Sequence, residues 1–411
     1  MRILNSFLMA WILYWLLQVI LPVRPVGEAL LVGFMVQIAF VLTVAGTYAL
    51  AEHWPVGPAS AAGWTESSTV VAVALALSLI GTLALAFDKV VIQGIDYSAG
   101  LAFAREQWRE SGVARGNEIS SPASVVGYLL SSCYIVAIVL FARTNFAGRT
   151  YLYGAMAAIL ALANTVLTGG RSTLILTLLF FVAARLLAGN GVRIREKTAS
   201  GRRSLWLTLA LVFFGGIYFL FVFLQRADAT GISVVAYSRS VLNDLGLEPT
   251  AWLEGLDPEG ILAGPLNLLV MATAYFTHSF STTVAIADFG PEHNFATVVF
   301  VTAASLAAKL HLIGPIDTEW FLAGAFPSLP GALFLQGGWF LLLFASAALG
   351  LLTSLAQSWY RASPSALSFG VLAAFLCVLL ASPILFVADV MMFPFVMLQF
   401  GLISLIAKLI K

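Results

Sequence analysis

Residues 164–190 read NTVLTGGRSTLILTLLFFVAARLLAGN, residues 191–204 read GVRIREKTASGRRS, and residues 205–240 read LWLTLALVFFGGIYFLFVFLQRADATGISVVAYSRS. Two apolar segments, each near the roughly 20 residues that a bilayer-spanning helix needs, flank a basic loop. Loops rich in Lys and Arg stay on the cytoplasmic side. The basic loop therefore faces the cytoplasm, and Arg171, Arg226 and Arg239 fall on the extracytoplasmic side. An arginine at a membrane boundary is costly without an anionic partner. What that partner is becomes the functional question.

The composition agrees with this start. Of 411 residues, 60% are hydrophobic and 10% are charged, against about 25% charged in an average soluble domain. The expected fold is an all-α polytopic membrane protein, one integral membrane domain over 1–411. A net charge of +1 points away from nucleic acid as a partner. Cys133 and Cys377 both lie inside apolar runs and read as small core residues, not as a disulfide or metal pair. The first apolar segment, Ile3–Val23, lacks a small-residue cleavage site and reads as a retained helix.

Apolar runs predict about ten spans: Ile3–Val23, Ala29–Ala51, Thr69–Phe87, Ser124–Phe141, Tyr151–Leu167, Arg171–Leu187, Leu205–Leu224, Leu333–Leu355, Leu367–Leu385 and Met391–Leu409. Two more runs, Ile261–Ile286 and Phe295–Leu312, are either a further pair of spans or interfacial and re-entrant helices, so the total is about ten to twelve. The hydroxyl-rich stretch TAYFTHSFSTT (273–283) favours the re-entrant reading, because irregular backbone at membrane depth is tolerated where it lines a cavity. Parity and loop charge then place both termini, Arg143, Arg149 and Arg361 in the cytoplasm. They place Asp88–Ser121 and the partly embedded region 226–330 outside. Within the first of these, Ala102–Gly112 reads as a short surface helix, and the segment's charges, Asp88 and Lys89 among them, form a solvated face or a contact for a sugar chain or partner protein. The pairs Gly215-Gly216 and Gly337-Gly338 suit close helix packing.

No Walker loop, H-E-x-x-H, dinucleotide fingerprint or cysteine metal pair is present, which argues against a nucleotide-driven pump, and no metal or cofactor is expected. Thr168-Gly-Gly-Arg-Ser-Thr173 opens a helix whose free N–H groups suit an anion, and Arg171 adds a fork matched to phosphate oxygens; the alternative is an arginine anchored to lipid headgroups. Arg226 and Arg239 bracket a polar segment with Asp228 and Tyr237. They form an outward cationic cluster with Arg171, or else pair with Asp228 or Asp244. His278 is a candidate base, or a hydrogen-bonded residue on a polar helix face. His293 and His311 share that ambiguity. Asp317 and Glu319 are candidates for orienting sugar hydroxyls or acting as a base, or are a solvated turn. Trp11, Tyr14 and Trp15 read as packing or interfacial residues.

With these residues quoted, the chain resembles the bacterial oligosaccharide repeat-unit polymerases of the O-antigen polymerase type and, more distantly, the O-antigen ligases. The resemblance lies in the Gly-Gly-Arg-Ser-Thr helix start, the basic loop after it, and the arginine-bearing outer loop past the next helix. It continues through Tyr275-Phe-x-x-Ser279 and Asp317-Thr-Glu319 to a Gly-rich span at Leu333–Gly350. It covers nearly the whole length by layout, with short motifs; the outer loop here is unusually apolar for that family. The resemblance implies a multi-pass glycosyltransferase of the bacterial inner membrane that joins repeat units carried on undecaprenyl diphosphate, as in lipopolysaccharide and other polysaccharide biosynthesis. It also implies arginines, not a metal, on the diphosphate, namely Arg171, Arg226 and Arg239. His278 would be the first candidate base and Glu319 the second. Tyr237, Tyr275 and Trp320 would stack on sugars. Partners would be the lipid-linked oligosaccharide donor and acceptor, membrane lipids and a chain-length regulator.

Two other readings compete. A ligase of the same class would move a finished glycan onto a lipid A-core and differs only in acceptor. A flippase or secondary transporter would place charges at mid-membrane and show inverted repeats. Here the polar residues gather at one face and no repeat is visible, which favours an enzyme.

Overall fold

Long uncharged runs, and the places where they break, set the architecture. The computed structural model describes residues 2–53, 68–98, 100–114, 120–141, 150–168, 171–188, 216–217, 220–228, 230–257, 260–291, 304, 307–308, 312–314, 327–387, 390 and 392–410. The basic loop 191–204, Arg143, Arg149, His293, His311, Asp317, Glu319, Trp320, most of the Leu205–Leu224 run and nearly all of the Phe295–Leu312 run lie outside them.

In chain order the helices are α1 Arg2–Ile20, α2 Leu30–Glu52, α3 Ser68–Ala86 (continued by a π-helical turn, Phe87–Ile92), α4 Leu101–Ala114, α5 Pro122–Leu130, α6 Cys133–Phe141, α7 Thr150–Thr168 and α8 Arg171–Ala188. A helix at 220–228, here α9, follows. The remainder are α10 Val234–Asp244, α11 Ala251–Glu254, α12 Ala263–Thr277, α13 Ser279–Phe289, α14 Leu329–Ala362, α15 Ala366–Ala381 and α16 Met392–Ile410. Two short strands, β1 Val23–Pro25 and β2 Leu247–Pro249, complete the described elements. Among the described residues, six stretches are long and apolar enough to cross a membrane: Ile3–Ile20, Leu30–Glu52, Ser68–Ile92, Pro122–Phe141, Leu329–Ala362 and Met392–Leu409. Leu152–Thr168, Thr173–Ala188 and Ala366–Ala381 are shorter apolar helices. The protein is an all-α polytopic membrane protein.

The chain packs as two compact units, each built from separate segments. The first comprises Met1–Trp54, Phe213–Ser354 and Val378–Asp389. The Pro22-Val-Arg-Pro25 segment leaves α1 before Val23 and pairs antiparallel with β2, Arg24 opposite Glu248. That ion pair, 3.1 Å between exposed side chains, contributes little by itself. The hydrophobic contacts of Val23, Leu242, Leu245, Leu247, Leu253, Val270 and Ala274 tie the strand pair to α10 and α12. Asp288 accepts from the backbone N–H groups of Glu28 (3.1 Å) and Ala29 (2.7 Å), supplying the acceptors that the start of α2 lacks. Gly27, at φ 143°, lies so close that a Cβ would stand 2.4 Å from an Asp288 carboxylate oxygen. Trp11 is buried, edge-on to Tyr14 and tilted against Phe40, and its indole N–H donates to Ser382 Oγ at 3.1 Å, which makes it a packing residue.

The second unit comprises Pro55–Val212, Leu355–Cys377 and Val390–Lys411. Here α3 packs against α5, α6 and α7. The predicted Ser124–Phe141 span is broken at Ser131-Ser132, and neighbouring helices satisfy the freed carbonyls. Ser78 donates to the Ser131 carbonyl at 2.5 Å and Gln399 to the Leu129 carbonyl at 2.5 Å. The Tyr97 hydroxyl, outside the spans, donates to the Leu167 carbonyl (3.0 Å), and burial pushes that phenol up to about 12. Cys133 and Cys377 are buried and unbridged.

Two expectations need correcting. Gly337-Gly338 does not mediate close packing. Gly338 takes φ 60° and interrupts α14; the close approach in this helix belongs to Gly350, whose Cβ would meet the α2 backbone. Asp88 and Lys89, read as part of a solvated face, are buried in the π turn. Asp88 accepts from Gln93, Ser120 and Ser121, and the Lys89 ammonium lies 3.9 Å from the Trp108 ring centroid. Together they strap the 93–121 excursion to the end of α3.

Candidate functional site

The candidate residues that fall together lie in the first unit, on α9, α10 and α12. Val234, Tyr237 and Val241 on α10 meet Phe223 of α9 and Leu268, Met271, Ala272, Tyr275 and Phe276 of α12 in one apolar cluster. Spacing of three and four residues puts these on facing helix surfaces. Phe223 packs edge-on against Tyr275, centroids 5.6 Å apart. Tyr275 in turn lies 5.4 Å from the His278 ring. Tyr237, Tyr275 and His278 are thereby gathered around one aromatic contact chain. Arg226 stands three residues past Phe223, one turn along α9.

His278 sits at the interruption between α12 and α13, of 15 and 11 residues, neither long enough to span. Its Nδ1 is 2.7 Å from the Tyr275 carbonyl oxygen. That oxygen only accepts, so Nδ1 carries the proton and Nε2 is the basic nitrogen.

The interruption is pinned by a buried hydroxyl chain. Tyr14 OH lies 3.0 Å from the Thr277 carbonyl oxygen and 2.6 Å from Ser279 Oγ. Ser279 donates to the Pro383 carbonyl at 2.5 Å. The Gln18 amide also donates to the Thr277 carbonyl. Ser279→Ala leaves the Pro383 acceptor without this donor and is expected to cost about 1–3 kcal/mol in melting experiments.

Against these satisfied groups stand others that are not. Arg239 Nε and Nη2 are buried and have no hydrogen-bond partner, and the same holds for Ser238 Oγ and Asn267 Oδ1. Among the described residues neither Arg226 nor Arg239 forms an ion pair with Asp228 or Asp244. An unmet buried donor costs about 1–3 kcal/mol, more when charged. A guanidinium in that state is poised to take an anion.

Arg171 opens α8 in the second unit, and its side chain is not among those described. Ser238 and Asn267 went unnoticed in the sequence. The signal was there for Asn267, one amide inside the otherwise apolar PLNLLVMA (265–272). Ser238 had none. Among the described residues no group of His, Cys, Asp and Glu is arranged to hold a metal. Comparisons with protein-family models, with curated proteins and with solved structures find no match.

Proposed function

We propose that this protein is a glycosyltransferase that polymerises undecaprenyl-diphosphate-linked oligosaccharide repeat units at the outer face of the bacterial inner membrane, with both termini in the cytoplasm. The observation that carries the reading is Arg239, whose Nε and Nη2 are buried without a partner. A diphosphate would meet those donors with paired oxygens. In the proposed reaction an acceptor sugar hydroxyl attacks the anomeric carbon of the donor, with inversion. The bond from that carbon to the diphosphate oxygen breaks, and the lipid diphosphate leaves with both electrons. Arg239, with Arg226, would neutralise that leaving group, which then needs no strong acid. The hydroxyl proton would pass to Nε2 of His278, whose tautomer the Tyr275 carbonyl sets. Glu319 is the alternative base, Asp317 would orient the acceptor, and Tyr237 and Tyr275 would stack on sugar rings.

The test is reconstitution. Proteoliposomes holding the purified chain, supplied with a synthetic undecaprenyl-diphosphate repeat unit, should build a ladder of products without added metal. A ladder that vanishes with a chelator, or a glycan that moves to a lipid A-core acceptor without growing, would overturn the reading.

A further inference from the structure

Arg239 explains an anion but leaves two neighbouring groups unexplained. Ser238 and Asn267 are both fully buried. Ser238 lies between Val234 and Val241, the α10 residues that pack on the α12 cluster. Asn267 lies one turn before Val270 and Met271, which pack on the same side of α12. The two side chains therefore belong to the facing surfaces of α10 and α12, with Ser238 adjacent in sequence to Arg239. The Asn267 amide donates through Nδ2 to the Ala263 carbonyl at 2.9 Å, which fixes its orientation and leaves Oδ1 as an acceptor without a donor. Ser238 Oγ has neither donor nor acceptor. The oxygens of a fully ionised phosphate cannot fill an amide oxygen's need, because without a P–OH they only accept. A ligand that met all the unpaired groups would have to combine anionic oxygens with hydroxyl donors.

We infer that Ser238 and Asn267 form a hydroxyl-recognising subsite beside Arg239, so that the site selects a phosphorylated sugar over a phosphate lacking one. This rests on the anion-binding reading of Arg239 and adds the determinant of specificity to it. A site built to hydrogen-bond a hydroxyl discriminates strongly against a ligand lacking it, since its buried polar groups are then left unpaired.

The experiment uses the full chain in detergent, titrated by saturation-transfer NMR with glucose 1-phosphate and with methyl phosphate. The wild type should bind the sugar phosphate about tenfold more tightly, the effect of one or two well-made hydrogen bonds. Ser238→Ala and Asn267→Leu should each reduce that preference and leave methyl phosphate binding unchanged. Ser238→Ala removes an unbonded hydroxyl and should melt no lower than wild type; if Asn267→Leu fails to fold, Ser238→Ala alone decides. Equal binding of the two ligands, or a preference that survives both substitutions, overturns the subsite while Arg239-dependent phosphate binding still supports the anion site. Phosphate binding indifferent to Arg239→Ala overturns the anion site, and this inference with it.

Discussion

Arg239→Ala is expected to lower polymer formation by roughly 10²–10³-fold, the loss typical of removing one donor from a site that stabilises developing charge. The same substitution should leave the melting temperature unchanged or higher, because Nε and Nη2 have no protein partner to lose. That pairing of effects separates a ligand-binding arginine from a structural one. A structural arginine takes stability down with activity. Arg239→Lys should recover only part of the activity, since an ammonium keeps the charge and loses the planar fork. Arg226→Ala is expected to act in the same direction, with single repeat units remaining on the lipid. Full-length polymer from both alanine variants would remove the diphosphate site altogether.

The largest expected loss of stability is at Gly350. A Cβ there would stand 2.1 Å from Thr47 Oγ1 and 2.5 Å from the Val44 carbonyl oxygen, both on α2. Thr47 cannot swing aside freely, because its hydroxyl donates to the Thr43 carbonyl at 2.8 Å. The helices must separate, so Gly350→Ala should cost about 3 kcal/mol or more. Gly46→Ala, on α2 with nothing within 4 Å of the added methyl, should be neutral or slightly stabilising, by up to about 1 kcal/mol of helix propensity. Melts of the two variants in detergent check the contrast directly.

Much of the helical layout was legible because a charge-free run of bilayer length has few alternatives. The runs at Thr69, Tyr151 and Met391 became helices with ends within a residue or two. Breaks inside runs were harder to read. The sequence around Ser131-Ser132 holds no proline or glycine at the break, and the groups that satisfy it, Ser78 and Gln399, lie far away in the chain. Gly337-Gly338 and Gly350 look alike as sequence, yet one breaks a helix and the other packs it. Local composition cannot tell a glycine used for its φ from one used for its missing side chain. Asp88 and Lys89 read as surface charges because their partners come from residues 93, 108, 120 and 121.

At the site, Tyr275 and His278 announce themselves by spacing on one helix. Arg239 stands out as a charge after an apolar span. What makes Arg239 informative is the lack of a partner, and that depends on where Asp228 and Asp244 end up. Ser238 and Asn267 matter for the same reason. An unmet bond is a property of the packed chain, invisible until every neighbour is placed.

The most direct measurement is a gel of lipid-linked glycan from cells that lack this chain. Single repeat units accumulating on the lipid diphosphate at the outer face are the predicted result. Full-length chains stranded on the carrier, or repeat units accumulating on the cytoplasmic side, would contradict it.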